Sequence, residues 1–303
     1  MVDGTSILRE LRNILNETST SSFLDTRSSY YYLWLAATEL VDRTECLTTT
    51  QTITTVASQQ AYDLNPDFLR LYMKDTNNNL FIRYNDGTTT STLKFKKYES
   101  VYYDNDTSTV SVPDSFATRD DPTKETAEVG TATSVGAASA GQCTLTDTAA
   151  DFTNVAPGDI VNNTTDGASG YVLSKTSTTV IATALFDGTG NDWTQSDAYT
   201  IQPQGRLQLV IVPTPSTSGH TITVPYVQRP DPVFSNYGIY RFNAQYLMAL
   251  CFYAAWLYKY RDSDSNFGDK FYQYFDSHVR KANVSSGRGL NKRGINVSFK
   301  ARN

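Results

Sequence analysis

The chain has 303 residues, only three cysteines and two histidines, and a formal net charge of −5. That length holds two domains or one large one, and cysteines as scattered as Cys46, Cys143 and Cys251 exclude a disulfide framework and a structural zinc site. The 20 tyrosines, with abundant Thr, Ser and Asn, suit β structure and subunit contacts better than a catalytic pocket.

In chain order, Ile7, Leu8, Leu11, Ile14 and Leu15 recur at helical spacing over Thr5 to Asn16, with Thr5 or Ser6 as N-cap. A second helix is predicted from its cap Asp25 to Thr44, turning Tyr31, Leu33, Trp34, Ala37, Leu40 and Val41 inwards. Thr48 to Val56 then alternates as a Thr-rich strand. Asn65-Pro66 turns the chain before another strand, and Asn77 to Asn79 turns it again into Leu80 to Tyr84, which reads as the other arm of a hairpin. Further strands are expected at Ser108 to Val112, Arg206 to Val212 and Thr221 to Gln228, the last two as a hairpin joined by Ser216 to Gly219.

Between these, Glu125 to Pro203 is rich in Ala, Gly, Thr and Asp, and Lys175 is its one basic residue. Alternating runs at Gln142 to Thr146, Gly158 to Asn162, Gly170 to Ser174, Thr178 to Ala184 and Asp197 to Ile201 are divided by turns at Thr165-Asp166-Gly167 and Asp187-Gly188. The pattern predicts a small β-barrel or sandwich inserted at a surface loop, separable from the rest.

The segment Arg241 to Tyr260 is apolar or aromatic on nearly every face of a helix. Tyr246, Leu250, Tyr253, Trp256 and Leu257 must therefore be covered, by the core or by another subunit. A second helix, Phe267 to Arg280, completes a helical hairpin across the polar turn Arg261 to Asn266. Seven of the 26 basic residues and none of the 31 acidic ones follow Asp276, so an acidic body ends in a basic arm. Gly287, Gly289 and Gly294 disfavour helix there, whereas Ile295, Val297 and Phe299 alternate as in a strand. With Arg288, Lys292, Arg293, Lys300 and Arg302, they form an extended peptide suited to docking. Its single aromatic residue favours a protein partner over nucleic acid.

The fold class that follows is α+β. An α-helical bundle from the N- and C-terminal helices plus a β-sheet domain occupies 1–124 and 205–284. A small all-β domain is inserted at 125–204, and 285–303 form an extended C-terminal arm. Met1 to Thr5 lacks a leader pattern and no stretch is long enough to span a membrane, so a soluble product of the cytoplasm with no membrane partner is expected.

No catalytic, cofactor or metal site is expected. His220 sits in a Ser-Gly-His turn and His278 near a helix end, neither beside a nucleophile. Asp262, Asp264 and Asn266 begin like a calcium loop, but Phe267 stands where glycine is needed. Asp120 and Asp121 read as a solvated boundary, and Gly188 to Asp192 as a turn rather than a dinucleotide loop.

Several strings resemble a known family. LWLAATELVDRTECL, AYDLNPDFLRL, SVPDSFATRD, LQLVIVPTP and HTITVPYVQRP, in that order between two opening and two closing helices, resemble the head-to-tail adaptors of tailed bacteriophages, nearest the tail tubular protein A type of short-tailed phages. The segments DFTNVAPGDIVNNTTDGASGYV and NDWTQSDAYTI resemble a small β module of phage structural proteins, which the adaptor pattern lacks.

The resemblance implies a homo-oligomeric ring in the virion neck, typically of twelve copies, joining the portal protein to the tail nozzle or tail tube. Its helical bundle would face the portal, the C-terminal arm would dock there, and double-stranded DNA would pass through without sequence recognition. The insertion becomes a candidate contact for tail fibres. The role implied is structural, not enzymatic. The alternatives are a tail-fibre-associated or receptor-binding protein and, third, a cell-wall enzyme.

Overall fold

Asp3 caps the first helix. Its carboxylate accepts the backbone N–H of Ser6 at 2.8 Å and the Ser6 hydroxyl at 2.7 Å, so α1 (Gly4–Leu15) begins before the expected Thr5 or Ser6 cap. The computed structural model describes residues 2–17, 25–104, 110–121, 126–235, 238–261 and 265–285. Two compact units result, Met1–Cys46 with Ile239–Asn303 and Leu47–Gly238.

In the first unit, α2 (Thr26–Thr44) is capped by Asp25, as its sequence predicts, with the Ser28 N–H at 2.6 Å. Tyr30 rather than Tyr31 turns inwards: Tyr30 is 1% exposed and Tyr31 36%. A two-stranded ladder joins β1 (Val2–Asp3) to β18 (Ile239–Tyr240). That pairing, and a 3-10 turn at Ala244–Tyr246, delay the next helix to Leu247, so α4 (Leu247–Arg261) is shorter than the predicted Arg241 start allows. α5 (Ser265–Ser285) is longer than expected. α4 packs on α1, α2 and α5. Ala249, Ala254 and Ala255 are buried along it, and small side chains let neighbouring helices approach closely.

The second unit is built of strands. It carries β2 (Thr48–Thr54), β3 (Ala61–Asp63), β4 (Phe68–Leu71), β5 (Phe81–Asn85), β6 (Thr90–Phe95), α3 (Tyr98–Asp104), β7 (Val110–Ser111) and β8 (Ser115–Asp120). The inserted strands follow: β9 (Glu128–Thr131), β10 (Cys143–Thr146), β11 (Ile160–Asn163), β12 (Ala168–Lys175), β13 (Val180–Phe186) and β14 (Ala198–Gln202). The chain then returns through β15 (Leu207–Val212), β16 (Thr214–Pro215) and β17 (Thr221–Gln228).

Eight of these strands make one sheet in the order β2-β17-β5-β6-β8-β15-β3, with β4 also on β17. Its inner face gathers Ile53, Ile82, Leu93, Phe116, Leu209 and Tyr226 into a core. The end strands β2 and β3 are joined by one side chain. Gln51 Nε2 donates to the Asp63 carbonyl at 3.0 Å, and Gln51 Oε1 accepts the Asn65 N–H at 2.9 Å. The inserted strands form a second antiparallel sheet, β10-β13-β12-β11-β14-β9, around the fully buried Trp193, whose Nε1 donates to Thr183 Oγ1 at 2.9 Å.

These sheets overturn the predicted fold class. The chain is mostly β, 36% strand against 28% helix, with a nearly closed barrel-like sheet, a half-barrel and five helices among the described residues. It is not a helical bundle with a sheet and a small insert. The sequence under-reports strands because β6 buries only Leu93 and β9 buries nothing, so neither shows a hydrophobic run.

One predicted hairpin is absent and another is shortened. β15 pairs with β8 and β3, and β17 with β2, β4 and β5, so the two runs never meet. Burial on both faces explains it for β15. Leu209 and Ile211 point to the barrel core while Val210 and Val212 pack under α3 with Val101 and Ala117, which requires a central strand. β5 pairs mainly with β17 and β6, and its expected hairpin is shortened to the Lys74↔Leu80 bridge flanked by the Asp75 N–H to the Asn79 carbonyl at 2.9 Å and the Phe81 N–H to the Met73 carbonyl at 3.4 Å. No helix among the described residues is long and apolar enough to cross a membrane.

Candidate functional site

The residues predicted on the closing helices separate into two environments. Leu250 is fully buried and Tyr246 is 8% exposed, so both belong to the helical core. Tyr253, Trp256 and Leu257 are half-buried. Tyr253 lies 4.8 Å from Phe275 and Trp256 5.1 Å from Tyr272, both on α5, in the tilted geometry that aromatic pairs favour. Arg43 of α2 completes the cluster, with its guanidinium 5.5 Å over Tyr272 and 5.4 Å over Phe275, and it donates to the Tyr272 hydroxyl at 2.8 Å. Much of the aromatic surface is thus covered within the chain. Tyr260 and Tyr274 remain exposed. The arm residues Arg288, Lys292, Arg293, Ile295, Val297, Phe299, Lys300 and Arg302 lie outside the described residues.

The joint that seats the inserted sheet is invisible to sequence reasoning. Arg206, one residue before β15, is 6% exposed at its side chain, and its Nη2 lies 2.7 Å from Asp159 Oδ2, itself 2% exposed. Nη2 also donates to the Asn154 carbonyl at 2.7 Å and Nη1 to the Gln204 carbonyl at 2.7 Å. Asp159 accepts the N–H groups of Ala156 and Gln204, each at 2.8 Å. Burial pushes its carboxyl above the usual carboxylate range, against the opposing pull of the Arg206 charge. Nearby, Lys175 Nζ donates to the carbonyls of Phe152 and Thr153 at 3.2 and 2.8 Å, and burial, then the Arg206 charge, lowers its pKa. A second anchor is aromatic. Phe234 stacks on Tyr171 of β12 at 5.0 Å and tilts against Phe186 of β13 at 5.5 Å.

Residues weighed for chemistry are placed individually rather than in a constellation. His220 Nδ1 meets the Tyr84 hydroxyl at 2.5 Å at the rim of the barrel. His278 packs on Phe252 at 5.6 Å, and burial, then Lys281, lowers its pKa. Asp121 is not solvated as expected: it is 5% exposed, and its N–H donates to the Arg206 carbonyl at 2.9 Å. Of the predicted polar turn, 262–264 lie outside the described residues. Among the described residues, no group of three or more His, Cys, Asp or Glu is placed to hold a metal ion.

Among the described residues, two clefts on the β unit stand out. One, of about 220 Å³, lies at the joint between Gln51, Asn65, Thr153, Asn154 and Arg206. The other, of about 320 Å³, lies on the outer face of the barrel around Arg83, with Tyr72, Met73, Thr50 and Thr223 in its walls. Comparison with known proteins found no matching family model and no similar curated protein.

Proposed function

We propose that the protein is a structural component of a tailed-phage neck, a head-to-tail adaptor that assembles as a ring between portal and tail and lines part of the path of the ejected DNA. The observation that carries this reading is the helical unit built from both ends of the chain. α1 and α2 pack with α4 and α5, and the basic arm departs from the end of α5. A unit so arranged gathers both terminal pairs of helices into one surface, which suits attachment to a larger assembly. The acidic body suits a conduit, since like charge keeps DNA from adhering to the wall. The arm attaches the ring to the portal, with Ile295, Val297 and Phe299 as apolar anchors and the basic residues speeding encounter.

Immunogold labelling of purified virions tests the assignment. Label at the vertex between head and tail supports it; label on fibre tips favours the receptor-binding alternative, and a virion that lacks the protein contradicts both.

A further inference from the structure

The outer face of the eight-stranded sheet is covered only in part. α3 lays Val101 against Ala117 of β8 and Val210 and Val212 of β15, whereas the outward residues of β2, β5 and β6 stay largely exposed and Thr221 and Thr223 of β17 are half-buried between them. Register sets Thr54, Thr221, Asn85 and Thr90 in one row across these four strands and Thr52, Thr223, Arg83 and Thr92 in the next. Lys94 stands beyond them, opposite Phe81. The rows hold one cation, Arg83, and no carboxylate, and Lys94 beside them lies within electrostatic reach of Asp75, although residues 47–238 contain 11 basic and 20 acidic residues. Arg83 is exposed, makes no ion pair or side-chain hydrogen bond among the described residues, and borders the cleft of about 320 Å³.

The inserted sheet has the opposite character. Lys175, its single base, is committed to the carbonyls of Phe152 and Thr153. At one end of the sheet, Asp166 in the β11–β12 turn and Asp192 in the β13–β14 loop converge on Gly190. A Cβ on that glycine would stand 2.9 Å from Asp166 Oδ2 and 3.1 Å from Asp192 Oδ1, which places both carboxylates beside the same backbone, and Asp166 also accepts from Asn163 Nδ2 at 3.1 Å. Neither carboxylate has a cationic partner among the described residues.

We propose that the Asp166 and Asp192 tip of one copy docks on the Arg83 and Lys94 face of the next copy. This deepens the adaptor reading and rests on it. The contact joins two different patches of one chain, and repeated head to tail such a contact closes a ring. Removal from water strengthens the guanidinium–carboxylate attraction, and the threonine rows supply hydroxyl donors to the remaining oxygens. A nucleic acid fits the face less well, because the unit's excess of nine acidic residues opposes a long polyanion while a single acidic loop needs only the local cations.

The test uses the full chain and reads mass in solution across concentration. Arg83→Glu with Lys94→Glu disables the face and leaves the tip intact. Asp166→Asn with Asp192→Asn neutralises the tip while keeping an acceptor oxygen on each side chain. Each variant is expected to melt with the wild type yet to need at least about tenfold more protein for half-assembly, a shift of about 1.4 kcal/mol. Mixed, they have one intact tip and one intact face per pair, so they form dimers and no rings. If either variant assembles at wild-type concentrations, the contact is wrong while the ring remains. If the wild type itself stays monomeric with and without portal, the ring reading falls and this contact with it.

Discussion

Arg206 and Asp159 are 47 residues apart in sequence and form a nearly solvent-free ion pair, 2.7 Å between Nη2 and Oδ2. Through it the strand β15 of the barrel grips the turn before β11 of the inserted sheet. An insertion that reads in sequence as a separable module is therefore anchored by a buried charge, which would be stranded if the module were removed.

Arg206→Met should cost about 3–5 kcal/mol, because Asp159 is left buried without its cation. Adding Asp159→Leu should recover only part of this, since the N–H groups of Ala156 and Gln204 then lose their acceptor. Urea unfolding of the two variants measures the difference. Equal stability of Arg206→Met and wild type would mean that the pair contributes nothing.

Gly170 of β12 sits where a Cβ would come 1.7 Å from the Ala184 carbonyl oxygen, which belongs to the backbone of β13 and cannot swing aside. Gly170→Ala should destabilise the inserted sheet by at least about 1–3 kcal/mol, as overpacking does elsewhere. With Trp34 and Trp256 replaced by Phe, Trp193 fluorescence reports on the core of that sheet and should change at lower denaturant than in the same background carrying Gly170. An unchanged Trp193 transition would show that the strands can part there at no cost.

Tyr240 is 2% exposed and its hydroxyl has no hydrogen-bond partner among the described residues. Desolvation of an unmatched hydroxyl costs about 1–3 kcal/mol, so Tyr240→Phe should raise the melting temperature of the helical unit or leave it unaltered. A clear fall would reveal a partner for that hydroxyl.

Asp86 closes the β5–β6 hairpin by accepting the N–H groups of Thr89 at 2.7 Å and Thr88 at 2.8 Å and the Thr89 hydroxyl at 2.8 Å. These bonds, led by the Thr89 N–H, hold its carboxyl down to about 2 against an ordinary value of 3.8. A depressed folded pKa adds stability that is present above the ordinary value and is lost as pH falls towards the folded one. The stability gap between wild type and Asp86→Asn should therefore shrink between pH 3.8 and about 2. A gap independent of pH would place the effect elsewhere.

Local features were legible where chemistry acts over a few residues. The Asp25 cap, the α1 spacing and five of the inserted strands stand within a few residues of their expected positions. Partners distant in the chain were not. The apolar runs of β15 and β17 announce strands without saying that each is central, and Tyr30 and Tyr31 are chemically alike, so only packing decides which is buried. The joint left no trace because Asp159 and Arg206 are 47 residues apart and neither carries a local signal of a buried charge. The Arg83 face was hidden for another reason: its character comes from four strands in register, none of which shows it alone.

The central claim is that many copies of this chain form a closed ring on a portal. Mass measurement of the purified protein, with and without purified portal at physiological salt, tests it most directly. The account predicts a single portal complex whose mass corresponds to a fixed, rotationally symmetric number of copies, lost when the chain is cut after Gly289. A protein that stays monomeric beside intact portal, or binds it in variable number, would contradict the account.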